Sequence, residues 1–487
     1  MSTPLTAPAV ARHLAGGPRL TRFDRLVIAV LALLLGVMAL TVAVGDHVGA
    51  RVVRFGPTET MRPSSAITVQ FSEEMDRASV ASHFRVEPAV AGDFGWSGRI
   101  MSFRSSEPLA PGGAYTAVLE AGAESAGGRK LLADQRFSLT VRGPRVAYLA
   151  PIDGPVKNVW LADPAGNGRP EQLTRSTIGI SAFDVSPDGA RIVVAERTGQ
   201  GVGVDLRLID LDTGESRPLT SCGDVACTNP VWSPDSTRVA FERMGSIPSV
   251  IPGVAAYSTR VWVLDPSSRQ ARVTPLIPDA QVPSHNKPRW SPDGTRIAVS
   301  ELVAPDNRDP GVLIYDLAGG ELQFSRTTFA SVGVFSPDGS RFVYPKRIAD
   351  AGKVRTVVES LDIGSDTTEL VSPPDTQVDQ GQLGWSGDGR SLVLARRVVD
   401  DETTLGRQLY TLDQTTAAIA PLLVDPGYDH AFFLTEPNGQ RYVIERALVR
   451  VREGSGQDSK SQIWTFDPAT GALIQVATNA FYPRWVP

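Results

Sequence analysis

Five side chains stand out as able to bind or react: His285, Tyr428, Asp429, His430 and Arg260. A histidine titrates near neutral pH, so it can move a proton or ligate a metal. His430 follows Tyr428 and Asp429 directly, with Asp425 close by, and His285 is the one other histidine beyond residue 145. Both fall in stretches expected to be loops, where a histidine equally serves as an ordinary polar residue. No tighter constellation accompanies them, so no catalytic residue, metal site or cofactor is assigned. Asp188, Asp235, Asp293, Asp338 and Asp388 recur as a row of carboxylates that could suggest catalysis or Ca²⁺. Each stands in a Ser-Pro-Asp-Gly-like phrase, and Asp bonds its own backbone in such turns. Charged pairs also recur: Glu196-Arg197, Glu242-Arg243, Lys346-Arg347, Arg396-Arg397 and Glu445-Arg446. Ion pairs between neighbouring repeats are the expectation, against a ring of charge for an anionic ligand. Cys222 and Cys227 are the two cysteines. Outside the cytoplasm they predict a disulfide. A two-cysteine metal site or redox dithiol is the alternative, and nothing nearby supplies further ligands.

What positions these residues is a repeat. Trp290-Ser-Pro-Asp-Gly294 is followed by a β-rich run, and related phrases begin at Val185, Trp232, Phe335, Trp385 and Thr435. The sequence enters another copy at Pro483-Arg-Trp485. Steps of 45 to 58 residues separate the copies, the spacing of blades in a propeller or turns in a solenoid. Four strands fit each unit, and residues 145–174 supply strands two to four for the copy at 483. Closure of 145–487 by this composite predicts an all-β fold with a seven-bladed β-propeller; six blades is the alternative, because the copy at Thr435 is degraded. Turns after strands one and three are tight. Longer connections follow strand two (Arg243–Thr259, Ala304–Gly311, Val399–Arg407, Arg450–Ser461) and join the units (Ser221–Asn229, Pro275–Asn286, Pro373–Gln382, Asp425–His430). Long loops on a rigid scaffold concentrate binding, so the five residues above are placed on a long-loop face. The aromatic residue opening each phrase is expected to pack between blades.

The aromatic-Ser-Pro-Asp-Gly phrase, the strand after it, and endings such as Glu171-Gln-Leu-Thr174 and Pro218-Leu-Thr220 resemble the WD-like repeats of TolB-type propellers. That resemblance implies the fold of 145–487 and no activity. A Gly-x-Ser-x-Gly elbow for an accompanying peptidase is missing from the sequence. Residues 51–142 alternate in short runs, among them Ile67–Phe71, Tyr115–Leu119 and Phe137–Val141, separated by turn signals. This pattern predicts a β-sandwich. The pieces VQFSEEMD, FRVEP, PLAPGGAYTAVL and FSLTV resemble a bacterial Ig-like domain of the S-layer-associated type, which implies a spacer.

Leu26–Val44 is uncharged and long enough to span a bilayer as a helix. Arg12, Arg19, Arg22 and Arg25 precede it, favouring a cytoplasmic segment 1–25, a transmembrane helix 26–45 and an extracytoplasmic remainder. Ala43-Val44-Gly45 leaves cleavage of a signal peptide, and secretion, as the alternative. A net charge of -5 offers no case for nucleic acid. Together these features predict a non-catalytic, membrane-anchored scaffold of the cell envelope, whose long-loop face takes a protein or glycan. A propeller lyase or hydrolase working at the channel mouth is the alternative.

Overall fold

The computed structural model describes residues 21–45, 49–57, 60–199, 201–247, 256–268, 272–278, 284–303, 309–327, 333–350, 353–371, 378–398, 406–449 and 460–487. The first twenty residues lie outside that range. So do parts of the expected loops Arg243–Thr259, Ala304–Gly311, Val399–Arg407, Arg450–Ser461, Pro275–Asn286 and Pro373–Gln382.

The apolar segment is a helix, Arg22–Gly45, about 36 Å long at ~1.5 Å per residue. It begins four residues before the apolar run because Thr21 and Asp24 cap it. The Thr21 amide donates to the Asp24 carboxylate (2.8 Å) and the Asp24 amide to the Thr21 hydroxyl (3.2 Å). These reciprocal bonds satisfy amides that the first turn leaves without intrahelical acceptors. Its leucines face outward, and its length and composition suffice to cross a membrane.

Two four-stranded sheets make the sandwich. Ile67–Phe71 pairs with Val52–Gly56 on one side and Ile100–Ser105 on the other, with Gly92–Ser97 at the edge. Ala114–Leu119 pairs with Phe84–Glu87 in the second sheet. Ile67, Val69 and Phe71 are buried in alternation, as strand periodicity requires when one face meets a core. Phe84 of one sheet meets Phe94 and Phe103 of the other at 5.7 and 5.3 Å between ring centres.

From Arg145 onward the chain repeats an antiparallel four-stranded sheet. Ile180–Val185, Arg191–Arg197, Val204–Asp210 and Ser216–Pro218 form one, joined to the next set by a single parallel bridge from Val204 to Ala226, and Ser284–Trp290, Arg296–Val303, Gly311–Asp316 and Leu322–Arg326 form another. Strand Phe481–Val486 pairs with Arg145–Ala150, which pairs in turn with Asn158–Ala162 and through it with Glu171–Gln172. One sheet therefore draws strands from both ends of this region.

The Ser-Pro-Asp-Gly phrase is turn chemistry. In the copy at Trp290, the Ser291 hydroxyl donates to Asp293 (2.6 Å) and accepts from the Arg296 amide (2.9 Å). Asp293 also accepts from the Thr295 amide at 3.0 Å. The same bonds recur around Asp188, Asp235 and Asp338. The serine hydroxyls hold Asp293, Asp338 and Asp388 below the usual carboxylate range. Gly294 takes φ +69°, and Ser236 takes φ +59° at the equivalent place. Gly387 replaces the usual proline because the next sheet presses against it: a Cβ there would lie 1.9 Å from the Gly439 carbonyl oxygen.

The aromatic of each phrase packs between sheets. Trp232 donates its indole N–H to the Asp184 carbonyl (3.2 Å) and Trp290 to that of Val231 (3.1 Å). Arg191 and Arg238 stack on the next sheet's Trp232 and Trp290, at 4.8 and 5.0 Å. Apolar clusters run from sheet to sheet, and the last join Val443 and Ile463 to Trp485 and Val146, and Ala147 and Leu149 to Ile180 and Phe183.

Candidate functional site

Both histidines sit on innermost strands rather than in loops: His285 on Ser284–Trp290 and His430 on Tyr428–Thr435. Both are fully buried. Counted back from the aromatic position of each phrase, they occupy the place held elsewhere by Ile180, Cys227 and Ala480, which are buried too. His285 Nδ1 meets the Val261 amide at 3.2 Å. Burial, with Arg260 adding to it, depresses His285 to about 4. Burial and then Arg446 do the same to His430, against Asp425 and Asp429.

The structure divides the five sequence-selected residues into two groups. Arg260, on Ala256–Leu264, lies beside His285 and donates to the Ile277 carbonyl at 2.6 Å. Tyr428, Asp429 and His430 form the other group around buried Arg446. That guanidinium stacks on Tyr428 at 3.5 Å and Trp464 at 4.8 Å, and reaches Asp425 at 2.5 Å. Asp429 is clamped by Arg407 through Nε (2.8 Å) and Nη2 (2.6 Å). Ion pairs and stacked rings make this a joint between sheets, with Arg446 Nε and Nη1 and both His430 ring nitrogens buried without a hydrogen-bond partner among the described residues. Among the described residues no cluster of three or more His, Cys, Asp or Glu could hold a metal ion. Cys222 and Cys227 are disulfide-bonded, and Cys227 is buried on the innermost strand Ala226–Trp232.

Buried neutral histidines make a pH prediction. Their folded-state values lie below the ordinary value of about 6.5, so the unfolded chain binds protons first. The stability they contribute is complete above about pH 6.5 and is lost as pH falls toward 4, at most on the order of 2–3 kcal/mol per histidine. Urea titrations at pH 7 and pH 5 should show a smaller loss in His285→Asn/His430→Gln than in the parent. An equal loss in both proteins would refute this.

The charged pairs of strand two also behave differently from expectation. Two of them form ion pairs within a sheet, Glu196 with Arg207 (3.4 Å) and Lys346 with Glu359 (2.9 Å), while Arg446 reaches Asp425 in the connection from the preceding sheet. Two of the glutamates also cross to the next sheet, carboxylate to backbone. Glu242 accepts from the Lys287 amide (2.8 Å) of the next innermost strand and from the Asn229 side chain (2.8 Å). Glu445 accepts from the Tyr482 amide at 2.9 Å. Lys287 and Tyr482 have φ +53° and +59°, and each stands in a break of strand register. A bulge of this kind redirects the side chains that follow it.

Two residues after each bulge stands an arginine, Arg289 and Arg484, and both line a cavity of about 370 Å³ among the innermost strands. Asp184, Gln382, Trp385 and Phe432 line it as well. Asp184 pairs with Arg484 Nε at 3.0 Å and accepts from the Trp232 amide at 2.9 Å. Burial pushes the Asp184 carboxyl up, against Arg484 and that amide. Arg289 is open to the cavity, and the protein crowded around it, then the positive charge of Arg484, push its pKa down. None of these three was selected from the sequence. The signal was present, since Asp184, Arg289 and Arg484 share the place just before the aromatic, where other copies have Val231, Val334, Gly384 and Leu434.

The sandwich geometry agrees with a sequence comparison: the bacterial Ig-like domain family matches residues 50–141. Residues 50–141 are a bacterial Ig-like domain. No curated protein sequence matches the chain. Structural neighbours of the Ig-like and propeller chain as a whole include TolB from Acinetobacter baumannii, at 15% identity and TM-score 0.42, covering 83% of each chain. An oligogalacturonate lyase in complex with manganese aligns at 14% identity and TM-score 0.47, over 69% of this chain and 85% of that one. The β-propeller domain of the Trilobed protease from Pyrococcus furiosus aligns at 15% and 0.46, over 76% and 94%. At such identities and scores these likenesses assign this chain no activity.

Proposed function

We propose that this is a non-catalytic binding or scaffold protein, held at a membrane by helix Arg22–Gly45 with its N-terminus cytoplasmic, and working outside the cytoplasm. The observation that carries this reading is the use made of His285 and His430. The propeller's two proton-transfer candidates are buried in sheet-to-sheet packing, at a place that Ile180 and Ala480 fill equally well. The groups facing the cavity are arginine, glutamine, aromatic rings and one carboxylate, Asp184, which is held in an ion pair with Arg484. A protein or glycan of the envelope is the partner, met by the long-loop face and the channel it surrounds. Seven blades carry that face. The pairing of Phe481–Val486 with Arg145–Ala150, and the apolar clusters on both sides of that sheet, support seven over six. The Ig-like domain serves as the spacer.

The test is crosslinking in intact membranes followed by affinity capture of the full chain. A specific envelope protein or glycan is the expected product. Turnover of a small molecule by the purified chain, with nothing crosslinked, would replace this reading with that of a propeller enzyme.

A further inference from the structure

We propose that the cavity among the innermost strands binds a small organic carboxylate between Arg289 and Arg484. This rests on the binding reading above and names the chemistry of a ligand for it. The charged groups lining the cavity are two guanidiniums and one carboxylate, Asp184. Arg484 already engages Asp184 and, through Nη1, the Pro483 carbonyl at 2.9 Å. Among the described residues Arg289 has one contact to protein oxygen, the carbonyl of its own neighbour Pro288 at 3.4 Å. Among the described residues no carboxylate lies within ion-pair distance of it. Glu242 is the next nearest acid in effect, but both its oxygens are committed to Lys287 and Asn229 behind the innermost strand.

A guanidinium offers a flat fork of donors that matches a carboxylate or phosphate. One added monoanion brings the lining charges to balance, whereas a phosphate dianion overfills them. That favours the carboxylate. The body of the ligand meets rings. Phe432 lines the cavity and lies under Arg484, with 5.4 Å between guanidinium and ring centre. Trp385 lines another side. About 370 Å³ suits a small ligand, near the lower end of the roughly 300–1,000 Å³ typical of such sites. The site is built rather than incidental, because Glu242 and Glu445 each fix the bulge that precedes one of the arginines.

Calorimetric titration of the full chain in detergent, with benzoate as probe, tests this. Benzoate is expected to bind saturably and benzamide at least tenfold more weakly. Arg289→Gln should weaken benzoate at least tenfold. Asp184→Asn removes the competing carboxylate while keeping an acceptor for the Trp232 amide, so it should tighten benzoate severalfold, a gain that misfolding does not produce. Equal binding of benzoate and benzamide, or no effect of Arg289→Gln in a folded protein, would overturn the proposal. Phenyl phosphate binding more tightly than benzoate would overturn the choice of a monocarboxylate. Crosslinking of wild type in membranes separates the two readings. A captured partner with no benzoate binding removes the carboxylate site alone, and benzoate binding with no captured partner removes the macromolecular partner alone.

Discussion

Deletion of residues 481–487 is expected to abolish the cooperative unfolding transition of the propeller. The strand Phe481–Val486 completes the sheet begun by Arg145–Ala150 and brings Trp485 and Val486, which are 6% and 0% exposed. Trp485 packs with Val443 and Ile463 on one side, and Val486 with Ile180 and Phe183 on the other. Burying a large apolar side chain is worth about 1.5–3 kcal/mol, so the two residues alone contribute roughly 3–6 kcal/mol. The loss also leaves Arg145–Ala150 with an unpaired edge, a template for association with other chains. Total stability of a domain is only about 5–15 kcal/mol, so the deletion reaches its whole margin. Circular dichroism melts and limited proteolysis should report a broad, protease-sensitive state with a tendency to aggregate. A sharp transition at the parent midpoint would show that the repeated sheets do not depend on this strand.

Glu242→Ala is expected to cost about 2–4 kcal/mol, more than a surface carboxylate could. Its side chain is buried and accepts two hydrogen bonds, from the Lys287 amide and the Asn229 side chain. Hydrogen bonds to charged groups contribute about 1.5–3 kcal/mol, and donors left buried without acceptors add a penalty. Lys287 holds a backbone conformation rare for a residue with a Cβ, so it relaxes once its amide is released. The bulge then loses definition and Arg289, two residues on, loses its aim. The variant should therefore show a lower denaturant midpoint together with weaker benzoate binding. Glu445→Ala should do the same through Tyr482 and Arg484. Unchanged stability in Glu242→Ala would mean that the bulge is held by the strand pairing alone.

These two predictions mark where sequence reading succeeds and where it stops. The phrase Trp-Ser-Pro-Asp-Gly declares its own geometry, because serine, aspartate and glycine satisfy the turn with atoms at most five residues apart. The composite sheet was legible for a similar reason: residues 145–174 lack a first strand and residues 481–486 supply one. The roles of Glu242 and Glu445 were not legible. Their partners are backbone amides of the next sheet, 45 and 37 residues away, and an amide carries no side-chain signature. His285 and His430 misled for the converse reason. A histidine beside polar residues, Ser284 and Asn286 or Asp429, reads as loop, yet register places it where Ile180 and Cys227 are buried.

By itself, then, the sequence determined the apolar helix, the sandwich and the repeated sheets, since each follows from local periodicity and turn chemistry. It also held the register that singles out Asp184, Arg289 and Arg484, though the reading of it came only with the cavity. The tertiary structure decided which charges meet. Packing the repeats side by side brings Asp184 and Arg484, three hundred residues apart in the chain, to 3.0 Å. That contact depends on how each bulge turns its strand, and the bulges depend on carboxylates of neighbouring sheets. Position relative to the other repeats is set by packing between sheets, and no repeat taken alone encodes it.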